Sequence, residues 1–376
     1  MTISSNKHTF EEINNLQNRK FPPDLGKIYD QRLTNQLANT TGAIQGLNQT
    51  YKLLQNPNLL MRPILVKEAE ASSQLEGTQA SIEDAYKIDV IEQTPEKKNE
   101  ALEIINYQEA MLTGIDIIKK YGFSPLLIRE VHKRLLHGVR GYSKHPGEFR
   151  KGDVWIGPVG TVKEKARYLP PDASQVPVLM EQLHIFINNR GDIHPLLACG
   201  IIHHRFEAIH PFEDENGRTG RLLISLYLLS QNLLTYPILY PSGYFEKDKK
   251  SYTDALSIVD ENENWYAWLM YFLKGMEQQA NLSLKVASDI DSLFKESKKV
   301  IEKERANINL IRVLEFSYKR PYLTSATVNK SLQISRASCD RYLNTLASRH
   351  VIVDAGIHKR ERLFVNLKLL NLLKNI

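Results

Sequence analysis

Hydrophobic residues recur along most of this 376-residue chain at the three-to-four spacing of amphipathic helices. That pattern predicts helices over 27–51, 64–75, 97–120, 124–136, 176–188, 195–209, 217–230 and 248–259. A further helix starts near Asn264 and continues as a long polar one to about Arg305. Pro57 and Pro63 bracket a short separate element, and Gly77 is a natural helix stop. Pro125 just after Ser124 is an N-terminal signature, Ser124 being the cap. The pattern changes at 145–171. There Val154-Trp155-Ile156 and Ala166-Arg167-Tyr168-Leu169 flank Gly157-Pro158-Val159-Gly160, which predicts a β-hairpin in an otherwise helical protein. Helices over 309–318, 325–332 and 336–349 precede a two-stranded wing, with Val351-Ile352-Val353 and Arg362-Leu363-Phe364-Val365 as strands and Asp354-Ala355-Gly356 between them. Three helices and then a hairpin is the winged-helix order. The apolar tail Leu367–Leu373 reads as buried or at an interface.

Composition adds limits. A hydrophobic fraction of 42% suffices for real cores, and a charged fraction of 24% is ordinary for a soluble protein. No stretch reads as a signal peptide or a membrane span. Cys199 and Cys339 form no CxxC pattern, so a disulfide framework or thiolate zinc site is not expected and a cytoplasmic setting is. Net charge is +6, but residues 302–376 carry 14 basic and 6 acidic residues, a surplus of 8 that leaves the remainder at −2. The C-terminal block is where an anionic partner such as DNA would bind: Arg336, Ser338, Arg341 and Asn344 on its last helix, with Lys359, Arg360 and Arg362 on the wing. A dimerisation or partner-docking module is the equal alternative.

The densest chemistry lies in His210-Pro211-Phe212-Glu213-Asp214-Glu215-Asn216-Gly217-Arg218-Thr219-Gly220-Arg221. Arg218 and Arg221 are three apart and share one side of a helix beginning near Gly217. The amides of Glu215, Asn216 and Gly217 would lie at its N-terminus, a ready anion site. Asp214 could hold Mg²⁺, which prefers carboxylate and phosphate oxygens. His210 suits a general base near neutral pH. These are the parts of phosphoryl chemistry, which rests on positioning and charge neutralisation.

The string resembles the motif of Fic-domain proteins, HPFx[D/E]GN[G/K]RxxR, at every position but one, and His203, Phe206, Glu207 and Ile209 fit the helix leading into it. The resemblance implies transfer of AMP from ATP to a Ser, Thr or Tyr hydroxyl of a target protein, with self-modification as the first product to seek. His210 would deprotonate the hydroxyl and Asp214 would bind Mg²⁺. Asn216, Gly217 and Arg218 would hold phosphates, Arg221 the γ-phosphate, and Phe212 would anchor the loop. The departure is Glu215, where the family has Gly. A non-Gly residue resists positive φ, and its carboxylate would repel the triphosphate unless it faced solvent or the metal.

Ser72-Ser73-Gln74-Leu75-Glu76-Gly77 resembles the family's inhibitory motif, [S/T]xxxE[G/N]. It implies that Glu76 pairs with Arg221 and blocks the γ-phosphate seat, Ser72, Glu76 and Gly77 being the inhibitory residues. One guanidinium cannot grip a carboxylate and a phosphate at once. The hairpin resembles the Fic flap, so Trp155 and Ile156 would dock a strand of the target; the alternative is a hairpin that merely covers the core. The base would sit near Tyr252–Asp260, where Tyr252-Thr253 stands in place of the family's Tyr-Tyr pair.

The expected organisation is thus mainly α: an N-terminal helical region (1–95) with the inhibitory helix, a Fic core with a hairpin flap (96–280), a linking helix (281–306) and a winged-helix domain (307–376). The partners expected are a protein substrate and a second copy of the chain, with DNA at the winged helix and no membrane. Competing readings are a DNA-binding regulator whose Fic core is weakened by Glu215, an AMP-removing enzyme, and a toxin-like enzyme with its inhibitor in cis.

Overall fold

In a computed structural model the chain is described at residues 16, 19–54, 56–88, 90–139, 144–157, 160–302, 308–358 and 361–375. The predicted hairpin tip at Pro158-Val159, the wing residues Lys359 and Arg360, the end of the linking helix at 303–306 and most of the N-terminal arm lie outside these residues.

The protein is mainly helical. Helix α1 (Gln31–Leu53) is capped by Asp30, and α2 (Pro57–Leu75) runs without a break through Pro63. The separate short element expected between Pro57 and Pro63 is therefore absent. Leu59, Ile64, Leu65, Val66 and Ala69 are buried along this helix, and that burial outweighs the hydrogen bond Pro63 cannot make. After Gly77 (φ +95°) a capping box of Ser81 and Asp84 starts α3 (Ile82–Lys87), a turn of helix the periodicity did not predict. Helices α4 (Pro95–Tyr121) and α5 (Pro125–Leu135) each begin with a capping hydroxyl, Thr94 or Ser124, followed by Pro.

The core continues with α6 (Val176–Asn188), α7 (Pro195–Ile209) and α8 (Asn216–Ser230), in which α7 and α8 are buried along almost their whole length. Neighbours cover every face of both, so even His203, His204 and Arg205 of α7 and Arg218 and Arg221 of α8 are buried. The short α9 (Ser242–Lys247), also unpredicted, leads into α10 (Lys249–Asn262). Helix α11 (Trp265–Glu302) is 38 residues long and crosses position 280 without interruption, with α1 packed along it.

The C-terminal block has α12 (Ile308–Lys319), β1 (Tyr322–Leu323), α13 (Ser325–Leu332), α14 (Arg336–Ser348), β2 (Val353–His358), β3 (Glu361–Val365) and α15 (Leu367–Lys374). The strands form an antiparallel sheet in the order β1-β3-β2, with Tyr322 opposite Val365 and His358 opposite Glu361. The turn expected at Asp354-Ala355-Gly356 is instead inside β2. Gly356 takes φ +88° and donates its N–H to Asp354 Oδ1 at 2.9 Å, and the register shifts there, so the glycine makes a bulge and the strand continues.

This block rests on the region around the predicted inhibitory helix. Tyr322, Leu363, Val365 and Leu370 pack against Tyr86, Val90 and Ile91. Tyr322 Oη donates to Glu83 Oε2 at 3.1 Å, Lys374 pairs with Glu83, and Lys87 Nζ lies 5.2 Å above the Tyr322 ring. Burial pushes the Glu83 carboxyl up, but its bonds from Lys374 and Lys87 outweigh that and hold it down to about 2. Replacing Glu83 by Ala should lower the melting midpoint by about 2–4 °C at pH 7, a loss of about 1 kcal/mol. A depressed carboxyl stabilises above its unfolded value, so the difference between the two proteins should shrink as pH falls from about 4.5 toward 2. Paired melts at pH 7 and pH 3 check this.

Candidate functional site

The motif residues meet at the junction of α7 and α8. His210 ends α7 in the left-handed region (φ +50°) and turns the chain into the loop before α8. Three clamps fix that loop. Asn216 accepts from Phe212 N–H at 2.8 Å and donates to Phe212 O at 2.9 Å. Arg150 Nε donates to His210 O at 2.9 Å, and Arg150 N–H donates to Pro211 O at 2.9 Å. His132 stacks on Phe212 with ring centroids 3.7 Å apart. Its Nδ1 accepts from Gly147 N–H at 2.9 Å, so Nε2 carries the proton donated to Asp214 O at 3.1 Å. Burial lowers the His132 pKa to about 4, which keeps this tautomer neutral.

His210 Nδ1 lies 3.3 Å from Glu207 O; a carbonyl only accepts, so Nδ1 donates and Nε2 is left as the basic nitrogen. Burial lowers its pKa to about 4, so the imidazole is neutral at pH 7. The ring lines a cavity of about 460 Å³ together with Glu76, Ile156, Glu207, Gly217 and Arg221.

Arg221, 2% exposed at its side chain, is held through Nε and Nη2: Nε donates to Ser72 Oγ at 2.9 Å, and Nη2 to Ser72 O at 2.8 Å and Glu76 Oε1 at 2.7 Å. Ser72 and Glu76, one turn apart at the end of α2, therefore both meet Arg221. A Cβ on Gly217 would collide with Glu76 Oε1, so the carboxylate lies directly on the first turn of α8. There it occupies the place a helix N-terminus offers to an anion. Burial opposes the charge, but Arg221 holds the Glu76 carboxyl below the usual carboxylate range. Gly77 touches none of this; its positive φ makes the turn after the helix.

Arg218 is turned away from the cavity. Its Nη1 donates to Glu103 Oε2 at 3.0 Å, and Nη2 pairs with Glu215. Glu215 itself adopts φ +59°, the conformation a glycine would take freely, and it is buried. It faces neither solvent nor a metal position, as the sequence led us to expect, but Arg218. Its burial drives its pKa up to about 7, against the lowering effect of Arg218. The Asn216 side chain is likewise committed to Phe212 and does not point into the cavity. Of the five residues expected to bind nucleotide, Gly217 and Arg221 line the cavity, whereas Glu215, Asn216 and Arg218 do not.

Of the loop carboxylates, Glu213 lies 3.4 Å from His145, Glu215 is held by Arg218, and Asp214 is exposed. Among the described residues no cluster of three or more His, Cys, Asp or Glu side chains is arranged for a metal. Asp214 does not line the cavity, and its Oδ1 accepts from Glu215 N–H at 2.9 Å; a carboxylate so placed suits Mg²⁺ only where phosphate oxygens complete the coordination.

The expected hairpin is reduced to one bridge, Ile156 opposite Tyr168, with a 3₁₀ turn at Lys163–Lys165. Trp155 is 45% exposed and its Nε1–H donates to Thr161 O at 2.6 Å, while Ile156 faces the cavity. Arg167 pairs with Asp254 at 2.6 Å and ties the segment to α10.

Sequence reasoning missed Glu103, Lys249 and the positioning role of Arg150 and His132. Glu103 is 115 residues from Arg218 and carries no local signal. Lys249, which donates to Leu75 O and lines the cavity, reads in sequence as a solvated helix start.

Residues 122–228 match the Fic/DOC family, and residues 34–116 match the Fic/DOC family N-terminal region. The chain is 25% identical over 255 residues to a protein adenylyltransferase Fic of Aedes aegypti, covering 66% of this chain and 47% of that protein. It is 28% identical over 164 residues to its namesake in Drosophila willistoni, covering 40% and 29%. The chain thus spans about half or less of the length of these curated relatives. A solved Fic family protein from Desulfovibrio desulfuricans G20 superposes with a TM-score of 0.56 at 20% identity, covering 90% of this chain and 97% of that one. Fic-1 from C. elegans does so with 0.51 at 18% identity, covering 69% and 74%. These likenesses are of fold. Among the described residues no helix is long and apolar enough to cross a membrane.

Proposed function

This chain belongs to the Fic/DOC family, and from that premise we propose that it is a protein adenylyltransferase that holds itself inactive. The observation that carries the reading is Glu76 bonded to Arg221 and seated on the first turn of α8, in the cavity that also holds the neutral imidazole of His210.

With Glu76 withdrawn, the α8 N-terminus and Arg221 would receive the phosphates of ATP. His210 Nε2 would take the proton of a target hydroxyl as its oxygen attacks the α-phosphorus. The bond from the α-phosphorus to the bridging oxygen breaks and pyrophosphate leaves. Mg²⁺, held by Asp214 and phosphate oxygens, would supply charge neutralisation. The target would lie along the extended Trp155-Ile156 segment, with Trp155 as its exposed anchor. The acceptor is a Ser, Thr or Tyr hydroxyl, of a partner or of the chain itself. The decisive experiment is transfer from α-labelled ATP with Mg²⁺ by the intact chain and by Glu76→Gly, with mass spectrometry of the labelled protein; no transfer by either would remove the reading.

Glu215 acts as a second restraint. Together with Glu103 it holds Arg218 away from the cavity, and it forces a left-handed backbone on a residue with a Cβ, which costs about 1–2 kcal/mol. In the Glu76→Gly chain, Glu215→Gly should tighten ATP binding about tenfold, read by calorimetry; unchanged or weaker binding would show that Arg218 is held where it is needed.

We read the C-terminal block, residues 307–376, as a winged helix that docks on its own chain. Two arginines expected to face DNA are paired internally, Arg336 with Glu361 and Arg362 with Asp354, which favours docking over DNA. Homodimerisation stays a proposal beside it.

A further inference from the structure

Helix α7 presents His204, Glu207 and His210 to the cavity at three-residue intervals, about 4.5 Å apart along the axis. His210 marks the loop end, beside Gly217 and Arg221. His204 marks the far end, together with Leu256, Ser257 and Asp260. Glu207 lies between them. Its Oε1 is out of reach of solvent and makes no hydrogen bond. The carboxylate is pressed against α8, where a Cβ on Gly220 would collide with Oε1, so the absence of a side chain at 220 makes its place. Burial pushes its pKa up to about 7, with Arg221 lowering it and Glu76 raising it.

Nothing in the proposed transfer uses this group. His210 handles the proton, and the α8 N-terminus and Arg221 handle the anions. In its ionised form the group repels phosphate, so a ligand of that form must offer donors. When the reacting phosphate stands at His210, the next part of a nucleotide along the cavity, about one helical turn away, is the ribose with its two adjacent hydroxyls. An acidic side chain suits a ribose hydroxyl, as it does in dinucleotide-binding folds, and Oε1 would have to turn from its place against α8 to share in the contact.

Building on the adenylyl-transfer reading, we propose that Glu207 accepts hydrogen bonds from the ribose hydroxyls of the nucleotide and makes the site selective for ribonucleotides. A buried acceptor left unpaired penalises a nucleotide that lacks the donor.

The test uses the Glu76→Gly chain with Glu207 intact, Glu207→Gln or Glu207→Ala, and compares kcat/KM for ATP, 2′-deoxy-ATP and 3′-deoxy-ATP. With Glu207 intact, at least one deoxynucleotide should be disfavoured about 10- to 100-fold. Glu207→Ala should bring that ratio close to one, the loss falling on ATP. Glu207→Gln, of the same shape, should keep part of it through its amide oxygen. A ratio that Glu207→Ala leaves unchanged, with ATP and the deoxynucleotides falling together, would overturn the proposal and place Glu207 with Arg221 instead. Calorimetric Kd ratios for the same nucleotides read the contact without turnover. Absence of transfer with a preserved Kd ratio would defeat the transfer reading alone, and equal Kd values with Glu207 intact would defeat the ribose contact.

Discussion

Glu76→Gly should transfer AMP about 10- to 100-fold faster than the intact chain at subsaturating ATP. The size follows from what the carboxylate does. It accepts from Arg221 Nη2 at 2.7 Å and lies on Gly217, so it holds a cation and a helix N-terminus that triphosphate would otherwise use. The Glu76 side chain is 40% exposed, so solvent screens the bond and it is worth about 1–2 kcal/mol, which ATP must overcome before binding productively. Arg221 stays oriented in the variant by Ser72, which accepts from Nε at 2.9 Å and from Nη2 at 2.8 Å. The gain should therefore appear as tighter ATP binding and faster transfer together. Since Arg221 keeps the Glu76 carboxyl below its usual range, the restraint is present above the unfolded value of about 4.5 and is lost only as pH falls below it. The intact chain should stay restrained from pH 5 to pH 8. Equal rates for the two chains would show that the contact is not a brake.

His210→Ala, made in the Glu76→Gly chain, should cut transfer by about 10²- to 10⁴-fold while ATP affinity changes little. The ring is positioned as a base and not as an anion holder: Nδ1 is tied to Glu207 O at 3.3 Å, which leaves Nε2 to take the proton. Burial holds its pKa at about 4, so the base is already deprotonated throughout the neutral range. The kcat/KM profile of the released chain should consequently be level from pH 8 down to about pH 5 and fall below that, as the imidazole protonates through about 4. A fall centred near 6.5 would mean an exposed imidazole and a different geometry.

How far the chain could be read without coordinates varies with the range of the forces involved. Helices α5 and α13 were legible almost to the residue, α5 because its capping hydroxyl and adjacent Pro announce its start locally, while α4 begins two residues before the expected start, at a Thr94-Pro95 cap that was not read. The pairing of Glu76 with Arg221 was an expectation from two resembling motifs, and the two side chains do meet, whereas the two bonds from Arg221 to Ser72 came only with the structure. The flap has the expected antiparallel pairing, but only in its smallest form among the described residues. Its described strand-like residues hold one bridge, beside an ion pair from Arg167 to Asp254 and a tight turn at Lys163–Lys165. Helix α2 was under-read, since Pro63 looks like a break until the burial around it is known.

What the sequence determined by itself is the mainly helical architecture and the set of groups gathered around His210, because helix periodicity, caps and a compact motif are all written within a few residues of one another. What only the tertiary structure decided is how those groups are partnered. Glu215 faces Arg218, Glu103 arrives from α4 to hold the same guanidinium, Asn216 is committed to Phe212, and Glu207 is left without a partner at Oε1. Each of these outcomes depends on which charge or amide burial brings within about 3 Å, and Coulombic and hydrogen-bond energies change steeply over that distance while sequence separation carries no trace of it.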